Sequence, residues 1–234
     1  NMGRLAAEYV FLDQLVDYDP HSDAGDRVEV RGRETFERLA AEDRPHIFFT
    51  GHLGNFELLP ICGRRFGLRL TSMFRPPNNP YIAEFINETR KATMDDLLPS
   101  RAGAAITLAR LLEHGRNVGV LVDQKFANGI RTTFFGRECE TNPLLPRLAR
   151  RFDCDVYPAY SMRLPGNRYR LVLEEKLELP RDADGRVDIE HTAQLLNDTV
   201  ERWIRMDPGQ WMWFHKRWNI APPKRGRPQA AQPS

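Results

Sequence analysis

The chain has 234 residues, enough for one large domain with a sizeable buried core. Hydrophobic residues make up 41% and charged residues 28%, and the net charge of +2 is too small to indicate a polyanionic partner. The three cysteines, Cys62, Cys139 and Cys154, form no CxxC pair and fit a reducing compartment. No apolar run reaches the roughly 18 to 20 residues that span a bilayer, and no signal peptide opens the chain. Because the first residue is Asn1, we expect the natural chain to begin upstream, where an anchor would lie.

The first elements in chain order are predicted to be an amphipathic helix and a loop. Residues 2–16 carry an apolar stripe at helical spacing, which we expect to pack on the domain. Residues 17–32 are polar and loop-like, and residues 33–41 are predicted to form a second helix. We therefore predict an N-terminal helix and loop over residues 1–32, followed by the main domain over residues 33–221.

The stretch HIFFTGHLGNFELLP follows that helix and changes its pattern midway. Residues 47–50 are a β-branched and aromatic run typical of a buried strand, which Gly51 ends. From about Asn55 the pattern becomes helical, so Glu57 is predicted to lie in the first turn of a helix and His52 just ahead of it.

The spacing between His52 and Glu57 limits how the two side chains can meet. Residues five apart in a regular helix point roughly 140° away from each other. They can meet only if His52 lies in the turn, where Gly51 and Gly54 let the backbone bend and helix N-terminal amides point at the same place. A histidine held by a carboxylate beside such amides outlines an acid–base site. The same spacing also fits a capping glutamate and a surface histidine.

The later elements alternate between strand and helix patterns. Strands are predicted at residues 68–74, 118–122, 132–135, 156–162 and 169–173, and helices at residues 81–94, 103–114, 141–152 and 189–206. Residues 222–234 are rich in Pro, Gln, Ala and Arg and are predicted to be a disordered tail. The alternation predicts a single α/β domain with a central mixed, largely parallel sheet flanked by helices.

Polar residues collect where three of the predicted strands end, which is where ligands bind in such sheets. They are His52 and Glu57, Arg75 and Asn79, and Asp123 and Gln124. Polar residues at three separate strand ends are better support for a ligand site than any one motif.

Five sequence blocks in order resemble a known family. They are GHLGNFE, FRPPNNP, LVDQ, FFG and PGQWMWFHKRW, spread over residues 52 to 218. The first contains a His-x4-acid pair similar to that of the glycerolipid-type acyltransferases, and the whole set resembles the bacterial lipid A biosynthesis (lauroyl/myristoyl) acyltransferases.

The resemblance implies transfer of a fatty acyl chain from an acyl-carrier-protein or CoA thioester to a hydroxyl of a glycolipid. It implies a lipid A precursor as acceptor, a membrane surface as partner, and work at the cytoplasmic face of the bacterial inner membrane. The sequence departs from the family pattern in lacking the usual hydrophobic anchor ahead of the domain. It also departs at Lys125, where some relatives place an acidic residue, so a mannosylated phosphatidylinositol stays open as acceptor.

A mechanism can be written for the predicted His52–Glu57 dyad. We hypothesise that His52 takes the proton of the acceptor hydroxyl, while Glu57 accepts a hydrogen bond from the other ring nitrogen. Backbone amides near Gly51 to Gly54, or Arg75, would stabilise the oxyanion. No serine lies in a G-x-S-x-G elbow, which favours direct transfer, and replacing His52 with Ala should abolish it.

Nine further residues are predicted to bind substrate. Arg75 could bind a phosphate or cap loop carbonyls, and Asp123 with Gln124 could orient a sugar or cap a turn. At least two of Trp211, Trp213 and Trp218 are expected in the core. The nine are Gly51, Gly54, Asn55, Arg75, Asn79, Asp123, Gln124, His215 and Arg217.

Other ligand classes are less favoured. No metal or other cofactor is predicted, because no H-E-x-x-H motif or ligand cluster occurs. Nucleic acid is not predicted as a partner, since the basic cluster at Arg147, Arg150 and Arg151 reads as the solvated face of a helix. Two rival functions remain: a hydrolase using the same dyad on water, and a non-catalytic lipid- or polyanion-binding module.

Overall fold

The computed structural model describes residues 2–16, 18–19 and 27–218. The helices are α1 (Met2–Tyr9), α2 (Leu12–Leu15), α3 (Arg33–Ala41), α4 (Leu58–Arg65), α5 (Pro80–Thr93), α6 (Ala104–Glu113), α7 (Leu144–Phe152) and α8 (Ile189–Met206), with a 3₁₀ turn at Pro208–Gln210. The strands are β1 (Val28–Arg31), β2 (Ile47–Thr50), β3 (Leu70–Phe74), β4 (Leu97–Pro99), β5 (Asn117–Leu121), β6 (Ile130–Phe134), β7 (Arg137–Thr141), β8 (Val156–Leu164) and β9 (Arg168–Leu173).

Seven strands form the central sheet in the order β1-β9-β8-β2-β5-β3-β4. Neighbours pair in parallel except β8 and β9, which are antiparallel, so the predicted mixed, largely parallel sheet is confirmed. Strands β6 and β7 form a separate antiparallel hairpin.

The sheet is covered on both faces, which explains why β2 carries apolar residues at consecutive positions, Ile47 to Phe49. Phe48 and Phe49 are consecutive and buried, and because side chains alternate along a strand they enter two different core clusters. Phe49 packs with residues of α6, α7 and α8, whereas Phe48 packs with residues of α1, α3 and α4. This arrangement puts β2 in the middle of the domain, and the turn after β2 opens at the edge where β5 also ends.

Several sequence-based boundaries are corrected. The helix predicted over residues 2–16 is two helices, α1 and α2, separated by Val10 and Phe11, which are exposed. The predicted loop over residues 17–32 contains β1, which pairs with β9 in the central sheet. The helix after the His52 turn begins at Leu58, not near Asn55. The long helix at residues 189–206 is confirmed. The predicted tail, residues 222–234, lies outside the described residues.

Candidate active site

The turn after β2 has glycine at two positions where a side chain would crowd its neighbours, and at Gly54 the backbone requires it. A Cβ on Gly51 would lie 3.1 Å from a methyl of Val200. Gly54 has a φ of 57°, in the left-handed region that favours glycine, and a Cβ there would collide with the Ser161 carbonyl. Between these glycines the chain reverses and presents His52 at the end of β2.

Strand register brings His52 and Asp123 together. Thr50 of β2 pairs with Leu121 of the neighbouring parallel strand β5, so the residues two positions further along each chain also lie side by side. Nδ1 of His52 lies 2.7 Å from Oδ1 of Asp123, and the backbone N–H of His52 donates to Oδ2 at 2.9 Å. A carboxylate that accepts from Nδ1–H leaves the lone pair on Nε2 of His52, which is the protonation state of a general base.

Asp123 is buried, with only 3% of its surface exposed, yet it is stabilised as a carboxylate. The indole Nε1–H of Trp211 donates to its Oδ2 at 2.9 Å. Burial alone would raise the pKa of Asp123, but the charge of His52 and hydrogen bonds from His52 and Trp211 outweigh it and hold that pKa below its usual range. The partner of the histidine therefore stays ionised across the neutral range.

The Gln124 side chain lies against the imidazole without occupying its lone pair. Its amide nitrogen is 3.0 Å from Nε2 and 3.5 Å from Nδ1 of His52. A donor aligned with the Nε2 lone pair would be much farther from Nδ1, because the lone pair points away from the ring. The amide therefore lies over the ring, and Nε2 is left for a substrate hydroxyl.

The predicted hydrogen bond between His52 and Glu57 is wrong. Glu57 is buried and accepts both Nε–H and Nη2–H of Arg90 from α5, the first at 3.0 Å. The Glu57 charge outweighs burial and raises the pKa of Arg90, while burial together with that charge raises the pKa of Tyr9. The Glu57 carboxylate is therefore paired with Arg90 of α5, and the imidazole of His52 is paired with Asp123.

The backbone amides predicted to stabilise an oxyanion are already used in the turn. The N–H of His52 donates to Asp123, that of Leu53 to the Gly51 carbonyl at 2.8 Å, and that of Gly54 to the Gln210 carbonyl at 3.1 Å. The expectation that these three amides face the substrate is therefore wrong.

Three residues predicted to bind substrate have internal partners instead. Asn55 is fully buried, donates to Glu8 at 2.9 Å and accepts from the backbone N–H of Glu57. Asn79 caps α5 by accepting from the N–H groups of its first turn. Arg217 is 2% exposed and donates to the Glu140 carbonyl and to two buried side chains, Thr141 and Asn197. Each of the three side chains holds the fold, and the two buried ones, Asn55 and Arg217, are closed to a ligand.

Of the other predicted residues, Glu57 and four more line a large cleft, whereas Gly51, Gly54 and Asp123 do not. The volume of the cleft is about 1380 Å³, and His52, Arg75, Gln124 and His215 lie along its wall. Basic side chains on the rest of the wall are Arg90, Arg101, Arg110, Lys125, Arg147 and Arg151. Among the described residues no group of three or more His, Cys, Asp and Glu side chains could hold a metal ion.

A second, narrow cavity of about 90 Å³ adjoins the cleft. Six residues line both spaces: Phe56, Glu57, Met73, Phe74, Arg90 and Leu121. The rest of its wall is mainly aromatic and aliphatic, with Phe36, Phe48, Leu59, Leu68 and Met94 among the residues that only the cavity touches. The buried Glu57–Arg90 pair thus lies at the boundary between a wide cleft with basic side chains on its wall and a narrow apolar slot.

Sequence reasoning missed Tyr9, Arg90 and Trp211 at this site. Trp211 had a visible signal, because it belongs to one of the five family-like blocks. Tyr9 and Arg90 had none beyond their helical positions, since their roles depend on how α1 and α5 pack.

The fold and site define an α/β protein with a histidine–carboxylate pair at the strand ends, facing a cleft. The model of the bacterial lipid A biosynthesis acyltransferase family matches residues 1–219, and the chain belongs to that family. Within the part of the chain that the structure describes, every helix is too short or too polar to cross a membrane.

Three known proteins are similar to the chain. The lipid A biosynthesis lauroyltransferase of Escherichia coli (strain K12) is 27% identical over 203 residues, covering 83% of this chain and 62% of that protein. The lipid A biosynthesis acyltransferase of Haemophilus influenzae is 23% identical over 191 residues, covering 80% of this chain and 58% of that protein. The crystal structure of the 1-acyl-sn-glycerophosphate acyltransferase of Thermotoga maritima aligns with a TM-score of 0.45 at 15% identity, covering 80% of this chain and 74% of that one. The chain therefore spans about three-fifths of the length of the two sequence relatives.

Proposed function

We propose that the protein transfers a fatty acyl chain from a thioester, carried by acyl-carrier protein or CoA, to a hydroxyl of a membrane glycolipid. The observation that carries the proposal is the His52–Asp123 pair, with Nε2 free, at the wall of a cleft that adjoins an apolar slot. A lipid A precursor is the proposed acceptor, supported by the family and by the names of the two relatives, both lipid A biosynthesis acyltransferases. A mannosylated phosphatidylinositol is the alternative acceptor.

The proposed chemistry uses Nε2 of His52 twice. Nε2 takes the proton of the acceptor hydroxyl as its oxygen attacks the thioester carbonyl, and Asp123 stabilises the imidazolium that forms. The tetrahedral intermediate collapses with loss of the thiolate, which takes the proton from Nε2 and leaves as the thiol. The amide of Gln124, close to Nε2, and the guanidinium of Arg75 on the cleft wall are the proposed donors to the oxyanion.

The two spaces suit the two substrates differently. A glycolipid head group is wide and, in lipid A precursors, phosphorylated, which suits a cleft of about 1380 Å³ with arginines on its wall. A slot of about 90 Å³ with aromatic and aliphatic walls suits the end of a single alkyl chain, since a cavity of about 150 Å³ holds one benzene molecule. We place the terminal methylene groups of the donor's acyl chain in the slot, with the rest of the acyl chain and its thioester in the cleft beside His52.

The direct test is an acyl-transfer assay with a long-chain acyl thioester, with and without a lipid A precursor. Product lipid that carries the acyl group supports the proposal, and its mass identifies both partners. Thiol release that does not depend on the lipid would instead identify a hydrolase. Equal glycolipid binding by the wild type and His52→Ala, with no turnover by either, would identify a non-catalytic binding module.

Filling the slot should shorten the preferred acyl chain. Gly63 of α4 lines the slot, and a Cβ there would meet Leu68 at 3.8 Å, an ordinary van der Waals distance, so a larger side chain can extend into the space. Gly63→Leu is expected to lower kcat/KM for the longest accepted donor about 10-fold or more relative to a shorter one, since each lost methylene contact costs about 0.8 kcal/mol.

Gly63→Ala is the matched control, because it adds only a methyl group and improves helix propensity. It is expected to keep the wild-type preference or shift it slightly, with an unchanged or higher Tm. An unaltered chain-length profile in a folded Gly63→Leu protein would place the acyl chain elsewhere.

We further propose that the protein works at the cytoplasmic face of the bacterial inner membrane, with α5 on the lipid surface. α5 buries none of its residues, and Tyr81, Ile82 and Phe85 are exposed on neighbouring positions of one helix face. Ile86 and Arg90 of the same helix line the cleft, and Arg75 and Arg101 are exposed on its wall. An apolar helix face beside exposed arginines suits an anionic membrane.

Replacing the three side chains together, Tyr81→Ser, Ile82→Ser and Phe85→Ser, should weaken binding to phosphatidylglycerol-containing vesicles at least 10-fold in a sedimentation assay. Met206→Ser is the control, because Met206 is also an exposed apolar residue but does not line the cleft. Equal vesicle binding by the triple variant and the wild type would contradict this placement.

A further inference from the structure

The chain after α8 runs back along the His52 turn and is bound to it by the backbone. We call residues 207–218 the C-terminal strap. Trp211 forms an antiparallel bridge with Leu53. On either side of it the Gln210 carbonyl accepts from Gly54 at 3.1 Å, and the N–H of Met212 donates to the His52 carbonyl at 2.8 Å. The strap therefore acts as a short strand against the turn that carries the general base.

The strap is fixed at both ends by partly buried polar contacts. At its start, the Gln210 side chain accepts from the backbone N–H of Arg163 at 2.7 Å and donates to its carbonyl at 3.0 Å. At its end, Arg217 donates to the Glu140 carbonyl, and the indole of Trp218 donates to the Phe134 carbonyl at 2.7 Å. Such contacts leave the segment between them little freedom to move.

We propose that the strap is a positioning element for the acyl transfer. In this proposal Trp211 fixes the orientation of the Asp123 carboxylate, and Asp123 in turn orients the imidazole of His52. The inference rests on the proposed function for its kinetic part. Trp211 does not face the reacting atoms: its ring packs on Phe134, Phe135 and Trp213, and only its N–H reaches the carboxylate. It acts through Asp123 and so is a positioning residue.

The hydrogen-bond pattern of Asp123 shows what Trp211 contributes. Oδ1 accepts from the ring of His52, while Oδ2 is shared between the backbone N–H of His52 and the indole of Trp211. Two donors on Oδ2 fix the plane of the carboxylate and aim Oδ1 at Nδ1. Without the indole, the carboxylate can rotate, and its charge is less dispersed, so it holds the Nδ1 proton more strongly.

The other charged groups around His52 and Asp123 come from several elements of the fold. Arg217 of the strap interacts with the charge of Asp123 from within the core. Glu57, which precedes α4, and its partner Arg90 of α5 line the cleft that His52 faces, as do Lys125 and His215. A change confined to the Trp211 indole leaves all of these groups in place, so a change in pH dependence can be assigned to the lost hydrogen bond.

The test compares Trp211→Phe with Trp218→Phe in the full chain. Both variants remove one indole hydrogen bond from the same aromatic cluster, but only the first bond ends on Asp123. Trp211→Phe is expected to lower kcat about 10-fold to 100-fold with little change in KM, the range for losing a hydrogen bond to a charged group. The acid limb of its pH–rate profile should move to higher pH.

A spectroscopic measurement separates this inference from the proposed function. The low-field proton resonance of His52 Nδ1–H should move further downfield in Trp211→Phe and stay in place in Trp218→Phe. A folded Trp211→Phe protein that matches Trp218→Phe in both resonance and acid limb overturns the inference. A wild type with no transferase activity overturns the proposed function, while the resonance still tests the strap.

A second variant, Asp123→Asn, tests the inference if the Trp211→Phe protein does not fold. In Asp123→Asn the acceptor of the indole is no longer charged, so the Nε1–H resonance of Trp211 should move upfield from its wild-type position. An unmoved indole resonance would show that the hydrogen bond is absent in solution and would overturn the inference.

Discussion

Asp123→Asn is expected to lower kcat by about 10⁴-fold, the loss seen when the carboxylate of a Ser-His-Asp site becomes an amide. The amide would offer an N–H or a neutral oxygen to Nδ1 of His52, so the ring would take the wrong tautomer and its cation would lose its counter-charge. Steady-state acyl-transfer kinetics with a long-chain thioester and a glycolipid acceptor would measure the effect, and near-UV circular dichroism would verify the fold.

The matched comparison is Glu57→Gln, the same chemical change at the acid of the sequence motif. Because Glu57 contacts Arg90 and not His52, its conversion to the amide should cost far less in kcat than the change at Asp123. His52→Ala should abolish transfer and set the baseline. A folded Glu57→Gln protein as inactive as Asp123→Asn would mean that the carboxylates exchange roles during the reaction.

The sequence predicts where the site residues lie along the chain better than it predicts which of them are hydrogen-bonded to each other. His52 was predicted in a turn between a buried strand and a helix, and Asp123 and Gln124 at the end of another strand. Both positions follow from local patterns and are confirmed by β2 and β5. That these two strands are neighbours depends on the strand order, which local patterns do not contain. The sequence therefore favours Glu57 as the partner of His52, because the two residues are close along the chain.

Residues placed by long-range packing were the ones predicted wrongly. Arg217 is predicted from the sequence to bind substrate, yet its guanidinium packs over Phe134 and bonds to groups from β7 and α8. Asn55 stands inside a turn motif, but its partner Glu8 lies 47 residues earlier. Burial of a polar side chain requires partners from other elements, and a single sequence does not show which elements meet.

Glu57 and Arg90 are expected to behave as a buried ion pair in a double-mutant cycle. The Glu57 side chain is 4% exposed and that of Arg90 13%, so removing either one leaves an uncompensated charge at the head of the slot. Glu57→Leu and Arg90→Met should each lower the free energy of unfolding by about 3–5 kcal/mol. The double variant Glu57→Leu, Arg90→Met replaces the pair by apolar side chains of similar volume and should recover most of that loss. Urea unfolding followed by fluorescence would measure all three.

The exposed pair Arg33–Glu37, with side chains 39% and 56% exposed, is the control. Glu37→Ala should cost about 0.5 kcal/mol or less, because solvent screens the charges. The double variant also shows whether Glu57, the acid of the His-x4-acid pair, has a structural role or a role in the reaction. If it regains stability and transfers acyl groups, the glutamate of the His-x4-acid pair shapes the boundary between cleft and slot. If it regains stability but stays inactive while Asp123→Asn keeps activity, the acid acts in the reaction and Asp123 does not.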